Sequence, residues 1–401
     1  MDKKFLLTII LLSGLALRII LSPYFTHHYD VNTFKYWANQ LTVIGFEDYF
    51  SKISWNDYLP FYLYILFAIE KIQQTFHFSS DLIYKMPGIL ADILSGIIIY
   101  LLASKLSTKK RLLLVSLYIF NPAIFANSAM WGQVDGLGAF LMLLSLYLYT
   151  KQKIIFLSVV LAMVTLFKPL YLLAIPLFAV AQLRRDFKKL FILVPVTFLS
   201  AILIAAPFTA DFVSSPLLIY ERYTTSLGQY HYASVNAFNF WTMVGQNWKS
   251  DEVYFGGLTY HTWGLLIFIV IFGLANLNLL IKKYSEKSSQ FLLPFSLAIT
   301  YLAIYTFATR VHERHMLTAL PFFLLLIYDH PFFLSGYIFL SGIYLINLYF
   351  GIQYLFLNGV FIFDDLTTKL YSSSPVIVSI ILLGILVYML IKNVKPYLLK
   401  K

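Results

Sequence analysis

Residues 59–68 read Leu-Pro-Phe-Tyr-Leu-Tyr-Ile-Leu-Phe-Ala. The decamer is apolar enough to enter a bilayer but only about half the length of the ~20 residues that a spanning helix needs. Whether it crosses decides the topology of everything after it. If it crosses, Lys105, Lys109, Lys110 and Arg111 fall on the outer side. If it is an interfacial or re-entrant helix, that cluster is cytoplasmic. So are Lys151 and Lys153, Arg184, Arg185, Lys188 and Lys189, Lys282, Lys283 and Lys287, and the C-terminal lysines. The inner segments then hold 19 Lys and Arg against 4 acids, and the remainder 11 against 15. Cytoplasmic loops carry the excess of Lys and Arg in membrane proteins, so the second arrangement is selected.

The surrounding composition supports a membrane chain. Charged residues are 12% of 401, against about 25% in soluble domains, which excludes a soluble enzyme and a disordered chain. The mean hydropathy of +0.75 agrees. The absence of cysteine excludes thiolate catalysis, zinc–thiolate sites and iron–sulfur clusters. The net charge of +11 reads as topology, so no nucleic-acid partner is expected.

Apolar runs occur at 5–21, 83–104, 111–129, 136–150, 154–167, 170–182, 190–207, 259–280, 291–308, 316–328, 332–350 and 375–393. They predict an all-α polytopic membrane protein with about 12 transmembrane helices (11–13). The first is expected to be uncleaved, because Ser22-Pro23-Tyr24-Phe25 is a poor signal-peptide site. The short runs at 154–167 and 170–182 suggest broken helices, and Asn121-Pro122 suggests a kink. Both termini are expected in the cytoplasm of a cell (plasma) membrane protein. Outside it, segments 22–82, 208–257, 310–314 and 351–374 are expected. The organisation expected is an N-terminal module 1–207 with a helical first outer loop, an aromatic outer loop 208–257, and a C-terminal module 258–401.

Polar groups in or beside spans are costly unless they serve a purpose. Six places stand out. His27-His28-Tyr29-Asp30 follows the first helix and offers a carboxylate at the membrane surface, suited to take a proton from a hydroxyl; a solvated loop start is the plainer alternative. Trp131-Gly132-Gln133-Val134-Asp135 offers Gln133 and Asp135 to sugar hydroxyls, or is a helix cap with an interfacial Trp. Lys168-Pro169 puts a cation at a helix break, there to meet an anion or to snorkel. Arg310-Val311-His312-Glu313-Arg314-His315 packs five ionisable groups into six residues; if helical, Arg310 and Arg314 share a face. The arginine fork suits a phosphate or diphosphate. Asp92 lies inside an apolar run and must face another polar group or water. The stretch 229–241 interleaves aromatic rings with Gln229, Asn236 and Asn239, ending at Trp241, as a sugar-binding surface or an amphipathic membrane helix would. There is no phosphate-cradling glycine loop, dinucleotide fingerprint, HExxH or nucleophile elbow.

Taken in order, these motifs resemble the GT-C superfamily of integral membrane glycosyltransferases. The prokaryotic mannosyltransferase-like members are the nearer likeness, and the endoplasmic-reticulum glucosyltransferases a distant one. The resemblance rests on Tyr29-Asp30, Tyr58–Tyr64, Ala91-Asp92, Asn121-Pro122, Trp131–Asp135, Phe167-Lys168-Pro169 and Val311–Arg314. It implies a GT-C fold and transfer of a hexose, mannose or glucose, from a polyprenyl-phosphate donor. The acceptor would be lipid-linked or glycan, reached on the non-cytoplasmic face with inversion. The sequence offers one loop acid at the expected place, which does not support the metal-dependent arrangement of some members, and no cofactor is expected. On that reading Asp30 is the base. Lys168, Arg310, His312 and Arg314 would meet the donor phosphate. Tyr29, Gln133, Asp135, Asn236 and Trp241 would contact sugar or acceptor. Two rivals remain: a polyprenyl-linked glycan ligase or polymerase, and a lipid or solute transporter.

Overall fold

The computed structural model describes residues 3–281, 286–356 and 365–398, with 286–290, 354–356, 365–372 and 393–398 described by backbone alone. Lys282, Lys283, the last C-terminal lysines and the middle of segment 351–374 lie outside the described residues. The fold is helical. A hairpin of Tyr254–Phe255 against Leu258–Thr259 is the only paired sheet among the described residues. Each of the twelve apolar runs carries helix.

Among the described residues six helices are long and apolar enough to cross a membrane: Lys3–Tyr24, Asp81–Leu102, Phe187–Phe208, Tyr260–Ile281, Pro331–Gln353 and Ser373–Lys392. A seventh crossing is available if Thr108–Ile119 and Pro122–Trp131 act as one span, bent by 42°. The bend falls at Asn121-Pro122, where proline lacks the N–H that a continuous helix needs. Asn121 then caps the new helix by accepting from the Ala123 N–H at 2.9 Å. The apolar helices Asp135–Thr150 and Ile154–Thr165 are shorter than a spanning helix needs.

The decisive decamer opens helix Pro60–Phe76, with proline at its first turn and His77 in the left-handed conformation at its end. Its last turns carry Glu70, Lys71, Gln73 and Gln74, and it is not among the six spanning candidates. It packs on helix His28–Ile44, so segment 22–82 is folded and helical, as expected. Phe34 of one meets Tyr62 of the other at 5.5 Å; Tyr58, just before the second helix, meets Phe34 at 5.8 Å and Phe167 at 5.5 Å.

Residues 308–312 are not helical; Arg310 sits at φ +63, in the left-handed region, and a 3₁₀ helix follows at Glu313–Ala319. Arg310 and Arg314 therefore share no helical face. The described ends of segment 351–374 are helical, since Pro331–Phe356 and Asp365–Leu398 run into it from either side.

The chain divides into two compact units, Met1–Gln229 and Tyr230–Lys401. The division falls inside segment 208–257. Helix Ser215–Leu227 belongs to the first unit and the aromatic stretch from Tyr230 to the second.

Candidate functional site

In the first unit, Asp30 lies in the opening turn of helix His28–Ile44. His27 caps that helix, its Nδ1 accepting from the Asp30 N–H at 3.3 Å and lying 3.0 Å from the Asp30 carboxylate. The carboxylate is met from the other side. Trp131 donates its indole N–H to Asp30 Oδ2 at 2.6 Å, and the Gln133 amide donates to the same oxygen. Trp131 ends a π-helical turn, Ala126–Trp131, closed by Gly132 at φ +91, and Gln133 follows directly after that glycine. Such wide turns recur at functional sites because they re-aim side chains. A Cβ at Gly132 would lie 2.9 Å from Val31, so only glycine lets the turn approach the helix this closely. Asp30 nevertheless keeps a quarter of its side chain exposed, so a ligand hydroxyl can reach it.

The two segments are fastened by a buried lysine. Lys85, buried in helix Asp81–Leu102, donates from Nζ to the carbonyls of Ser22 at 2.8 Å, Phe25 at 2.6 Å and Ala129 at 3.1 Å, with Met130 at 3.4 Å. Phe25 lies two residues before His27 and Met130 one before Trp131. The His27 N–H adds a direct bond to the Trp131 carbonyl at 3.1 Å. A lysine flanked by apolar residues signals a buried cation, but its carbonyl partners lie about 45 and 60 residues away, beyond any local pattern.

Asp92 finds the polar partner that its place required. Arg18 Nε donates to it at 2.9 Å and the Ser128 hydroxyl at 2.6 Å. Both charged side chains are fully buried, and Arg18 also donates to the carbonyls of Gly14 and Ile119. This is an interhelical tie that aligns the helix following Pro122.

Lys168 and Asp135 meet each other at 2.6 Å, both nearly buried. Lys168 Nζ also lies 4.9 Å from the Tyr58 ring. The lysine at the helix break is thus neutralised by a carboxylate from the start of helix Asp135–Thr150. Tyr29 is exposed, and its ring lies 6.1 Å from His27. An open cleft of about 380 Å³ runs along the same helix, lined by His28, Tyr29, Asn32, Thr33, Tyr36 and Trp55.

In the second unit, Arg310 grips Asp251. Its Nε donates at 2.7 Å, Thr309 donates at 3.0 Å, and His261 approaches at 3.4 Å. Burial alone would raise the Asp251 carboxyl. The hydrogen bonds from His261, Arg310 and Thr309 and the Arg310 charge outweigh it and hold the group well below the usual carboxylate range. Arg314 pairs with Glu313 at 3.0 Å and lies 3.3 Å from His312 Nδ1. Asn236 accepts from the Trp248 indole at 2.8 Å, and its backbone bonds Asn247 and Asn347. Trp241 is buried, donating to the Phe307 carbonyl at 2.7 Å. Asn236 and Trp241 thus serve the packing of this unit.

Of the ten nominated residues, the structure brings Asp30 and Gln133 together and adds Trp131, His27 and Lys85. It pairs Lys168 with Asp135. Among the described residues no group of three or more His, Asp or Glu side chains is arranged to hold a metal. No protein-family model matches the chain, and no curated protein matches it.

Proposed function

We propose that the chain is an inverting glycosyltransferase of GT-C type, with about 12 crossings. It would move a mannose or glucose from a polyprenyl-phosphate carrier to a lipid-linked or glycan acceptor on the non-cytoplasmic face. One observation carries the proposal: a partly exposed carboxylate at a helix start, fixed on one oxygen by the Trp131 indole and the Gln133 amide. A base must be held in place while the hydroxyl it serves arrives from outside.

In the proposed step, the acceptor O–H gives its proton to Asp30. The oxygen attacks the anomeric carbon from the face opposite the phosphate. The bond from that carbon to the phosphate oxygen breaks, and the electron pair leaves with the polyprenyl phosphate. A phosphate leaving group needs little acid assistance, so one base suffices. The family resemblance of Val311–Arg314 nominates His312 and Arg314 for the phosphate. Lys168, Arg310 and Arg314 are each already paired with a carboxylate, that of Asp135, Asp251 and Glu313, so all three would meet the phosphate as members of an ion pair.

A second reading has one observation in its favour. A buried Lys168–Asp135 pair at a broken helix is a form that proton-coupled transporters use. Proteoliposomes supplied with polyprenyl-phosphate mannose or glucose and a host glycan-lipid extract separate the two. Labelled glycan product supports the transferase. Uptake of solute without product supports the transporter.

A further inference from the structure

Helix His28–Ile44 has two faces of different character. Val31, Phe34, Trp37, Ala38 and Leu41 are buried against the rest of the first unit. The opposite stripe places residues 28, 29, 32, 33 and 36 in one line, the spacing of neighbours on a helix surface. Together with Trp55 these side chains line the cleft of about 380 Å³. That volume lies within the range of small-ligand sites, about 300–1,000 Å³.

The lining is unusual in what it holds and what it lacks. Three large rings are left outside the packing: Tyr29 is 69% exposed, Tyr36 52% and Trp55 50%. Trp55 is fixed from behind, since its carbonyl accepts from the Trp37 indole at 3.1 Å and the two rings lie 5.8 Å apart. Between the rings stand an amide, a hydroxyl and an imidazole, those of Asn32, Thr33 and His28. The lining contains no aliphatic side chain, no lysine or arginine, and no carboxylate. An acyl chain would find no aliphatic wall there, and a phosphate would find no permanent cation. A pyranose presents what this lining matches: apolar C–H faces for the rings and hydroxyls for the donors and acceptors.

We infer that this cleft is a neutral-carbohydrate subsite, holding the sugar units of a glycan acceptor beside Asp30. Tyr29 lines the cleft at the opening turn of helix His28–Ile44, the turn that also carries Asp30. The inference rests on the transferase reading only for the role of that glycan as acceptor; the sugar-binding claim stands on the lining.

The test is binding, measured without turnover. Full-length protein in nanodiscs is titrated with mannobiose to mannotetraose and maltose to maltotetraose, followed by saturation-transfer NMR. Wild type and Asp30→Asn should bind one of the two series saturably. Tyr36→Ala with Trp55→Ala should weaken that binding by about tenfold or more, the scale of two lost ring contacts. Tyr36→Phe and Trp55→Phe, which keep the rings, check folding and should retain most of it. No saturable binding of either series by wild type overturns the inference, as does binding unchanged in the double alanine variant. Quenching of Trp55 by brominated lipids, absent in Trp55→Phe, would place this face in the bilayer and also overturn it. If binding survives but Asp30→Asn still transfers sugar, the base assignment falls and the subsite stands.

Discussion

Replacing Lys85 by methionine tests the architecture around Asp30. The side chain keeps its length and loses its ammonium. The three shorter bonds, to Ser22, Phe25 and Ala129, disappear. Hydrogen bonds to charged groups are worth about 1.5–3 kcal/mol each when one partner is removed. Against that loss stands the relief of not burying an ammonium, which is several kcal/mol. The balance is a destabilisation of about 2–4 kcal/mol. The loss is not spread evenly. The released carbonyls precede His27 and Trp131, so the spacing between Asp30 and its indole donor loosens first. Detergent-solubilised variant and wild type would be compared by urea unfolding followed through Trp fluorescence, and by transfer rate at saturating donor. The expected result is lower stability together with a fall in kcat larger than any change in KM. A variant as stable and as fast as wild type would refute the clamp.

Four further outcomes follow from particular contacts. Arg18→Met leaves Asp92 charged and buried without its partner, and should destabilise the first unit by about 3–5 kcal/mol in the same unfolding assay. Gly88→Ala puts a Cβ 2.6 Å from the Gln133 carbonyl, a backbone atom, and should cost about 1–3 kcal/mol while lowering transfer through displacement of Gln133. Asp251 has a depressed folded-state pKa, so its contribution is present above the unfolded value near 4 and is lost as pH falls below it. Asp251→Asn should therefore lower stability at pH 7 and flatten the acid limb of the stability curve; an unchanged acid limb counts against the Arg310–His261–Thr309 cage. Arg314→Gln should raise the KM for the polyprenyl-phosphate donor if Arg314 meets the phosphate, and donor titration of the transfer rate checks it.

The helical layout was legible because hydrophobic runs and prolines are local signals. The twelve runs all carry helix, and the breaks at Asn121-Pro122 and Lys168-Pro169 are where proline removes a donor. The decamer 59–68 was decided by charge bookkeeping elsewhere in the chain, and its helix ends in residues too polar to span. Asp30 and Gln133 were legible as polar groups beside apolar runs. Their meeting was not, since it depends on a π-turn whose extra residue leaves no compositional trace. The partners of Lys168, Asp92 and Arg310 were hidden for a related reason. Each pairs across 33 to 74 positions of chain, and sequence marks a costly charge without marking what satisfies it. Whether Arg310 and Arg314 share a helical face was open in the sequence, and the left-handed backbone of Arg310 removes that option.

The central claim is that Asp30 accepts the proton of the attacking hydroxyl. Its most direct test is single-turnover sugar transfer in proteoliposomes by wild type and Asp30→Asn, at matched donor occupancy and with folding verified by unfolding curves. Asparagine keeps the shape and cannot take a proton, so the account predicts a fall in the chemical step of about 10²–10⁴-fold with donor binding retained. Transfer by Asp30→Asn at the wild-type rate would contradict it.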